Sequence, residues 1–548
     1  MSTRLLLHGQ LRLILGISLV YLVAWFAYYG QIPAGQYPSE QARATLEAAL
    51  GLAAGQQSEA PDATAHSLYT YALSVLAKFF VTTEGLTSAA RALNALALIL
   101  ATSFCASAAG HYWQRNPAIW IAGILVGLNP VLIFWAGEVS PSLLATAGMS
   151  MALYKVLPWL RRPKARDSLW IAICLVMAAA FETCLLPLAL LWPAFAGLYP
   201  DRKRISHLFL ASIPATLTCG LILVSKLQLQ NPFVFNFSQI YSGLYSALGS
   251  QENYDGKSFG FYRQLHFLLL LNPIHWGALF ILAGAGFYVR LKDGHRGYSV
   301  LLAVCILTIF AISFALNEGG SQARSTLIPL LAIFASGIAL LPKIWGHAGT
   351  RTRRKITIGA ALLSLFAYAG YFGQNQSKNW ERDYTYLAEA NLQFGNNDRA
   401  VTWAEKALKL NPAQVEMQEI RIIAQFNEWA SGNRQRTLPI EAAQEYLKTA
   451  QEIEGTATTH SIIAIYQYKL RETESAKAIW TAERDECALA LLCLYWTGAI
   501  TDITPSDLKT YLGRPYHGLL KVATEVDRSA LDYGKTEKLL DNILALAY

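Results

Sequence analysis

Long apolar runs alternate with short polar loops along the first two thirds of the chain. A run of roughly 20 apolar residues is long enough to cross the hydrocarbon core of a bilayer as a helix. The pattern therefore predicts about eleven membrane spans. Their expected ranges are 12–29, 91–110, 118–136, 139–157, 168–181, 184–199, 206–225, 267–289, 298–316, 325–342 and 356–373.

The stretch between the first two spans, residues 31–90, is too polar to cross a bilayer. Its spacing predicts two amphipathic helices, one beginning near Glu40 and the other near Tyr69. An acid held at the membrane surface beside two such helices makes this loop the first place to expect chemistry.

Composition and charge agree with a membrane protein and set its orientation. The chain has 53% hydrophobic and 15% charged residues. If the N-terminus is cytoplasmic, every cluster of Lys and Arg falls in an inward loop, as the positive-inside rule requires. Most acids then lie outside, and an odd number of spans places everything after residue 374 outside as well. We therefore predict a multi-pass protein of the cytoplasmic membrane with a periplasmic or extracellular C-terminal domain.

The charge balance differs between the two parts of the chain. Residues 1–374 carry 26 Lys and Arg against 13 Asp and Glu, whereas residues 375–548 carry 19 against 24. The basic excess is thus confined to the membrane part, where it reports topology. It gives no support to a nucleic-acid partner. No Cys/His cluster has the spacing of a metal site.

The C-terminal part, residues 375–548, is patterned as a domain of helical repeats. Residues 381–414 match the 34-residue tetratricopeptide pattern, with small residues where two helices touch, Gly395 at the turn and Pro412 at the exit. Weaker helix pairs follow. The predicted fold class is therefore all-α: a polytopic helical bundle in the membrane, followed by an extracytoplasmic α-solenoid. The solenoid is either a docking surface, for a protein or for another part of this chain, or a set of helical hairpins without a groove function.

Several short motifs occur in order on the predicted outer face. The first loop contains Pro38-Ser39-Glu40 and His66-Ser67-Leu68-Tyr69, and the next outer loop contains Glu138-Val139-Ser140-Pro141. A late loop contains Gln322-Ala323-Arg324. Together they resemble the polyprenyl-phosphate-sugar-dependent glycosyltransferases of the GT-C class, in particular the protein mannosyltransferase and aminoarabinose transferase group. The resemblance covers about residues 12–342 and implies a GT-C-like domain over residues 1–374.

This resemblance implies a transferase that moves a sugar from a polyprenyl-phosphate carrier in the bilayer to an acceptor outside. Such a reaction needs a carboxylate to take the acceptor's proton and cations to hold the departing phosphate. Glu40 is the candidate catalytic base, and Arg324 is the candidate phosphate clamp. Lys226 and Arg263, which flank the outer loop 226–266, are secondary phosphate ligands. Use of a divalent metal is left open by the residues.

Four further residues are expected to contact substrate, and some of them have a structural alternative. His66 and Tyr69 open the second loop helix, where His66 could equally be a surface residue. Glu138 could be an interfacial acid at the start of a span. Glu182 falls between two apolar runs, and an acid near membrane depth is usually functional or paired.

One position departs from the family pattern. The family opens its first loop with an Asp-Glu pair, whereas this chain has Ser39-Glu40. Aligning on Pro38 puts Ser39 at the catalytic place, and aligning on Gly55 puts Glu40 there. Since Ser cannot serve as a base unaided, the first register implies an inactive or altered transferase.

Two function classes follow, with a third less favoured. The first is an inverting glycosyltransferase whose repeat domain binds a protein. The second is a non-catalytic member of the same fold, a scaffold or a lipid-linked-sugar-binding subunit of an envelope or secretion assembly. The third class is an O-antigen polymerase or ligase with a helical-repeat tail. It ranks last because those enzymes lack the early acidic loop. A transporter is disfavoured because no internal repeat of spans is evident.

Overall fold

In the computed structural model of the chain, all regular secondary structure of the described residues is helical. These are 3–36, 38–55, 68–198, 205–214, 259–270, 276–291, 303–311, 321–340, 380–430, 457–469 and 472–485, with single residues between them, among them Lys257. The helices used below are α1 (Thr3–Tyr29), α2 (Pro33–Gln36), α3 (Glu40–Ala53), α4 (Leu68–Ala77), α5 (Thr83–Trp113), α6 (Asn116–Gly127), α7 (Pro130–Ala136), α8 (Ser142–Trp159), α9 (Ala165–Phe181), α10 (Leu186–Leu198), α11 (Phe259–Leu265), α12 (Phe267–Leu270), α13 (Trp276–Leu291), α14 (Ser321–Ser325), α15 (Ile328–Ala335), α16 (Glu381–Gln393), α17 (Asn397–Leu410), α18 (Val415–Ala430), α19 (Ala457–Lys469) and α20 (Thr473–Glu483).

The described part contains three helices that are long and apolar enough to cross a membrane: Gln10–Tyr29, Thr83–Trp113 and Gln322–Leu340. A fourth arises if α6 and α7, which meet at 47°, are counted as one bent span. Large apolar side chains such as Val20 and Val23 point outward from α1, as expected of a helix that faces lipid. The chain thus has membrane-type helices, and the count of eleven spans stays a prediction.

The bend between α6 and α7 has a local cause. Asn129 caps α7 by accepting a hydrogen bond from the backbone N of Val131 at 3.1 Å, and Pro130 takes the first helical position, where its missing N–H is not needed. The chain therefore ends one helix and begins another within three residues. After two turns α7 gives way to Gly137 and Glu138, which are central to the site below.

The first loop forms two helices, α3 and α4, where its pattern predicts them. Ser39 is the N-cap of α3, and its Oγ accepts from the backbone N of Ala42 at 3.3 Å. The two helices contact each other and α5, and Tyr69 of α4 is fully buried in their apolar cluster. Val139 and Phe181 also pack against this cluster. The loop helices thus lie against the ends of α7 and α9.

The chain divides into two compact units. The first comprises Met1–Gln31 and Pro38–Gln374, and the second comprises Ile32–Tyr37 and Asn375–Tyr548. In the second unit α16 and α17 form a hairpin that turns at Gly395, whose φ of +70° favours glycine. Buried alanines on α17 let the two helices approach closely. Residues 431–456 and those after 500 lie outside the described part, so continuation of the hairpins as a solenoid stays a prediction.

Helix α13 crosses the end of α15 at close range. An added Cβ at Gly286 would overlap the backbone carbonyl of Phe334. Backbone cannot move aside as a flexible side chain can, so this crossing requires glycine.

We expect Gly286→Ala to destabilise the protein by about 1–3 kcal/mol, because it forces the two backbones apart. Gly16→Ala is the matched control: Gly16 lies on the outward face of α1 with open space around it, and its substitution should be neutral or slightly stabilising. Thermal unfolding of both variants in detergent checks this. Equal stability of the two variants would show that the crossing is looser than described.

Candidate functional site

A short turn, Gly137–Ser140, forms the centre of the candidate site. It follows α7, and the backbone N of Gly137 still bonds to the carbonyl of Phe134 at 3.0 Å. A Cβ at Gly137 would lie 2.8 Å from Trp25 Nε1 and 3.0 Å from Tyr29 Cδ1. Glycine therefore allows the C-terminal end of α1 to lie directly against the turn.

Glu138 is held in a buried ion pair. The Nζ of Lys257 lies 2.9 Å from Oε1 and 3.1 Å from Oε2 of Glu138, and the Tyr29 hydroxyl donates a hydrogen bond to Oε1. The two charged side chains are only 3% and 6% exposed. Charges this far from water are tolerated only when paired and hydrogen-bonded. Lys257 and Glu138 therefore depend on each other.

Aromatic side chains surround this pair. Trp25 stacks on Tyr29 with ring centroids 4.6 Å apart, and the Lys257 ammonium lies 5.9 Å from the ring centroids of both Tyr29 and Tyr262. These distances permit a weak cation–π attraction. The ammonium is thus stabilised by ring faces as well as by the carboxylate.

The backbone of the turn is fixed from α5. Arg91 donates from Nε to the carbonyl of Gly137 at 2.8 Å, and Asn94 donates from Nδ2 to the carbonyl of Glu138 at 2.8 Å. At the end of the turn, Ser140 donates from Oγ to Gln322 Oε1 at 2.7 Å. Four separate parts of the chain therefore meet at these few residues.

Tyr69 reaches the same place from the loop helix α4. Its hydroxyl is near the Asn94 side chain and the backbone of Ser140, although no hydrogen bond of ordinary geometry joins it to a described residue. Burial raises the pKa of Tyr69 above its ordinary value, so the phenol stays protonated. Tyr69 is therefore a neutral buried donor beside the turn.

Arg324 is two residues after Gln322 on the short helix α14. Its guanidinium lies 4.9 Å from the ring centroid of Trp276, and the residue is buried. Helix α14 contacts both α7 and α8. The helix of Arg324, the predicted phosphate clamp, thus contacts α7, the helix that directly precedes the turn with Glu138.

The other predicted residues have different positions. Glu182 is half-buried and caps the short helical turn Thr183–Leu185, where its carboxylate lies 3.4 Å from the backbone N of Cys184. Arg263 is half-buried on α11. Glu40 is the first residue of α3, and only its backbone is described. His66 and Lys226 lie outside the described residues.

Several members of the cluster were not predicted from sequence, among them Lys257, Tyr29 and His266. The loop 226–266 has three basic residues, and Lys257 lies between Lys226 and Arg263, which were chosen because they flank the loop. Considering every cation in that loop would have included it. Tyr29 and His266 carry no such signal, since an aromatic residue or a single histidine at the end of a span is ordinary.

His266 faces the same cluster from the turn between α11 and α12. Its Nδ1 is 3.4 Å from the Tyr28 hydroxyl, and its ring stacks on that of Tyr262. Burial and, second, the nearby Lys257 ammonium lower the pKa of His266 to about 4. The imidazole is therefore neutral near pH 7.

Removing one partner of the ion pair should be far more harmful than removing both charges. We expect Lys257→Met to lower the free energy of unfolding by about 3–5 kcal/mol, because Glu138 is left buried and unpaired. Adding Glu138→Gln, which keeps an acceptor for Tyr29, should restore most of that loss. Thermal unfolding of the purified variants measures both effects. A double variant no more stable than the single one would contradict this.

The lowered pKa of His266 predicts a pH dependence of stability. Because the unfolded chain binds the proton first, the contribution is complete above pH 6.5 and is lost as the pH falls through about 4. About 2 kcal/mol should disappear between pH 7 and pH 5. His266→Phe should reduce this loss, whereas His111→Phe, at an exposed histidine, should not. Unfolding measured at both pH values checks this, and identical profiles for the two variants would oppose it.

Comparison with models of protein families, with curated proteins and with solved structures finds no match to this chain.

Proposed function

We propose that the protein is a membrane glycosyltransferase that moves a sugar from a polyprenyl-phosphate carrier to an acceptor outside the cytoplasmic membrane. The observation that carries this proposal is the convergence of polar side chains on the turn Gly137–Ser140. Residues expected from the GT-C resemblance to bind substrate, Tyr69 and Glu138, are there, and the helix of Arg324 reaches the turn through Gln322. Residues far apart in sequence thus share one end of the helix bundle.

The helix directions support an outward-facing site under the proposed topology of about eleven spans with a cytoplasmic N-terminus. The C-terminal ends of α1, α7 and α9 and the N-terminal part of α5 all lie near α3, α4 or the turn. Successive spans must alternate in direction, and these ends are the ones that alternation puts on the same side. In this proposal that side is extracytoplasmic.

The proposed roles follow from chemistry at this end of the bundle. Glu40 takes the proton from the acceptor hydroxyl, and Arg324 binds the phosphate of the donor through its guanidinium fork. The guanidinium of Arg324 lies over the Trp276 ring, 4.9 Å from the ring centroid. The donor's isoprenoid tail lies along the apolar helices. The repeat unit binds a protein, either the acceptor or a partner.

The assignment of Glu40 is supported by the role of its neighbour. Ser39 Oγ accepts the backbone N–H of Ala42 and so caps α3. A hydroxyl used in this way completes the helix and is not needed for proton transfer. The register in which Glu40 supplies the carboxylate is therefore the better one. Helix α3 contributes Leu46 and Ala49 to the apolar cluster against which Val139, next to Glu138, packs.

A second candidate is a non-catalytic protein of the same architecture. The carboxylate of Glu138 is already bound by Lys257 and Tyr29, as it would be in a purely structural ion pair. Such a protein would bind a lipid-linked sugar or a partner and would scaffold an envelope or secretion assembly. It would bind the donor without turnover.

Glu40→Gln separates these two functions. We expect it to reduce transfer from a polyprenyl-phosphate sugar by roughly 10²-fold or more, since the amide cannot accept the proton. Glu47→Gln on the exposed side of the same helix is the matched control and should retain activity. Transfer is measured with purified protein in detergent together with donor binding. Unchanged transfer in Glu40→Gln would remove Glu40 as the base, and donor binding without transfer by the wild type would favour the scaffold.

A further inference from the structure

Two arginines share one backbone carbonyl at the end of the bundle opposite the candidate site. Helix α5 ends there at Trp113, and the last carbonyls of a helix have no partner within it. The Nη2 atom of Arg161 donates to the carbonyl of Tyr112 at 2.8 Å, and Nη2 of Arg290 donates to the same oxygen. Two nitrogens that bond to one oxygen are at most about 6 Å apart. Two positive charges are therefore held together at this helix end.

The two arginines differ in their exposure. Arg290 is only 1% exposed, and its Cζ lies 4.1 Å from the ring centroid of Tyr112 and 4.5 Å from that of Trp113. The ring faces and the negative end of the α5 dipole stabilise a cation in this position. Arg161, which follows α8, is exposed. Arg290 is thus a fixed charge inside the bundle, and Arg161 is the cation that a ligand can reach.

The position of this pair along α5 corresponds to the far surface of a bilayer. Near its other end α5 carries Arg91, which bonds to the carbonyl of Gly137 in the candidate site. From Arg91 to Tyr112 the helix rises about 31 Å, close to the thickness of roughly 30 Å of a hydrocarbon core. Tyr112 and Trp113 are of the residue types that concentrate at the membrane–water interface. Arg161 therefore lies at the level of the lipid headgroups.

The surroundings of Arg161 are strongly basic. The described residues at this end of the bundle, 111–116, 154–168 and 288–291, include seven Lys or Arg and a single acid, Asp167. A basic cluster at the membrane surface attracts anionic lipids. A guanidinium also matches the geometry of phosphate oxygens, to which it can donate two parallel hydrogen bonds. Charge and geometry thus favour the same ligand.

We propose that Arg161 binds the phosphate of an anionic phospholipid in the leaflet at this end of the bundle, with Arg290 behind it as a second, fixed charge. An anionic headgroup such as phosphatidylglycerol suits two neighbouring cations better than a zwitterionic one, which brings a positive charge of its own. The bound lipid anchors the C-terminal end of α5 and the residues that follow α8 to this leaflet. The site goes beyond the proposed function, because a transferase and a scaffold would use it in the same way.

Thermal unfolding of the full-length protein in mixed micelles tests the lipid preference. We expect phosphatidylglycerol to raise Tm by at least about 2 °C relative to the same mole fraction of phosphatidylcholine, because a ligand of the folded state stabilises it. Inorganic phosphate at the same concentration should not reproduce this shift, since it is not confined to the headgroup level. An equal shift with phosphatidylcholine, or the full shift with inorganic phosphate, would overturn the proposal.

Substitution of Arg161 tests the residue itself. We expect Arg161→Gln to weaken binding of phosphatidylglycerol by at least about tenfold, because hydrogen bonds to a charged phosphate are lost. Arg166→Gln is the matched control: it removes the same charge from an exposed residue of α9 at the same end and should weaken binding by less than about twofold. Native mass spectrometry of both variants measures the bound lipid. Equal weakening in the two variants would show general charge attraction and refute the assignment to Arg161. If Arg161→Gln fails to fold, the lipid preference of the wild type decides the outcome.

Discussion

The buried pair of Lys257 and Glu138 is the constraint on which the described site depends. Both side chains are almost completely removed from water, where an isolated charge would be strongly unfavourable. Their mutual contact is therefore a condition for folding at this end of the bundle, whatever further role they have. It joins the segment at residue 257 to the turn after α7, and the Tyr29 hydroxyl adds α1 to the same contact.

The backbone around this pair explains how a charged residue comes to lie there. Asn129 and Pro130 stop one helix and start another, so α7 is short and the chain emerges at Glu138 while still packed among helices. Gly137 then allows Trp25 and Tyr29 to approach, and Arg91 and Asn94 bond the two carbonyls that the end of α7 leaves free. The helix break, the glycine and the two hydrogen bonds together fix the position of the Glu138 carboxylate.

Local sequence pattern was sufficient to predict the helices but not the long-range contacts of the site. Apolar period and length predicted helices throughout, including α3 and α4, since these depend on neighbours a few residues away. The motif containing Glu138 was recognised, but its partner is 119 residues distant, and no local periodicity encodes such a contact. Glu182 shows the reverse case: its carboxylate caps a turn beside it, a role indistinguishable in sequence from a functional acid.

Ser39 and Glu40 have different structural roles at the start of α3. In the sequence alone, either residue could occupy the position of the first acid in the family pattern that the chain resembles. The hydroxyl of Ser39 is committed to the N–H of Ala42, which makes Ser39 the last residue before the helix and Glu40 the first within it. The free N–H groups and the dipole at this end of α3 stabilise negative charge. The same helix end would favour a carboxylate here even in a protein that transfers nothing. Position alone therefore supports a carboxylate at residue 40, and catalysis additionally requires that the loop be held where an acceptor can reach it.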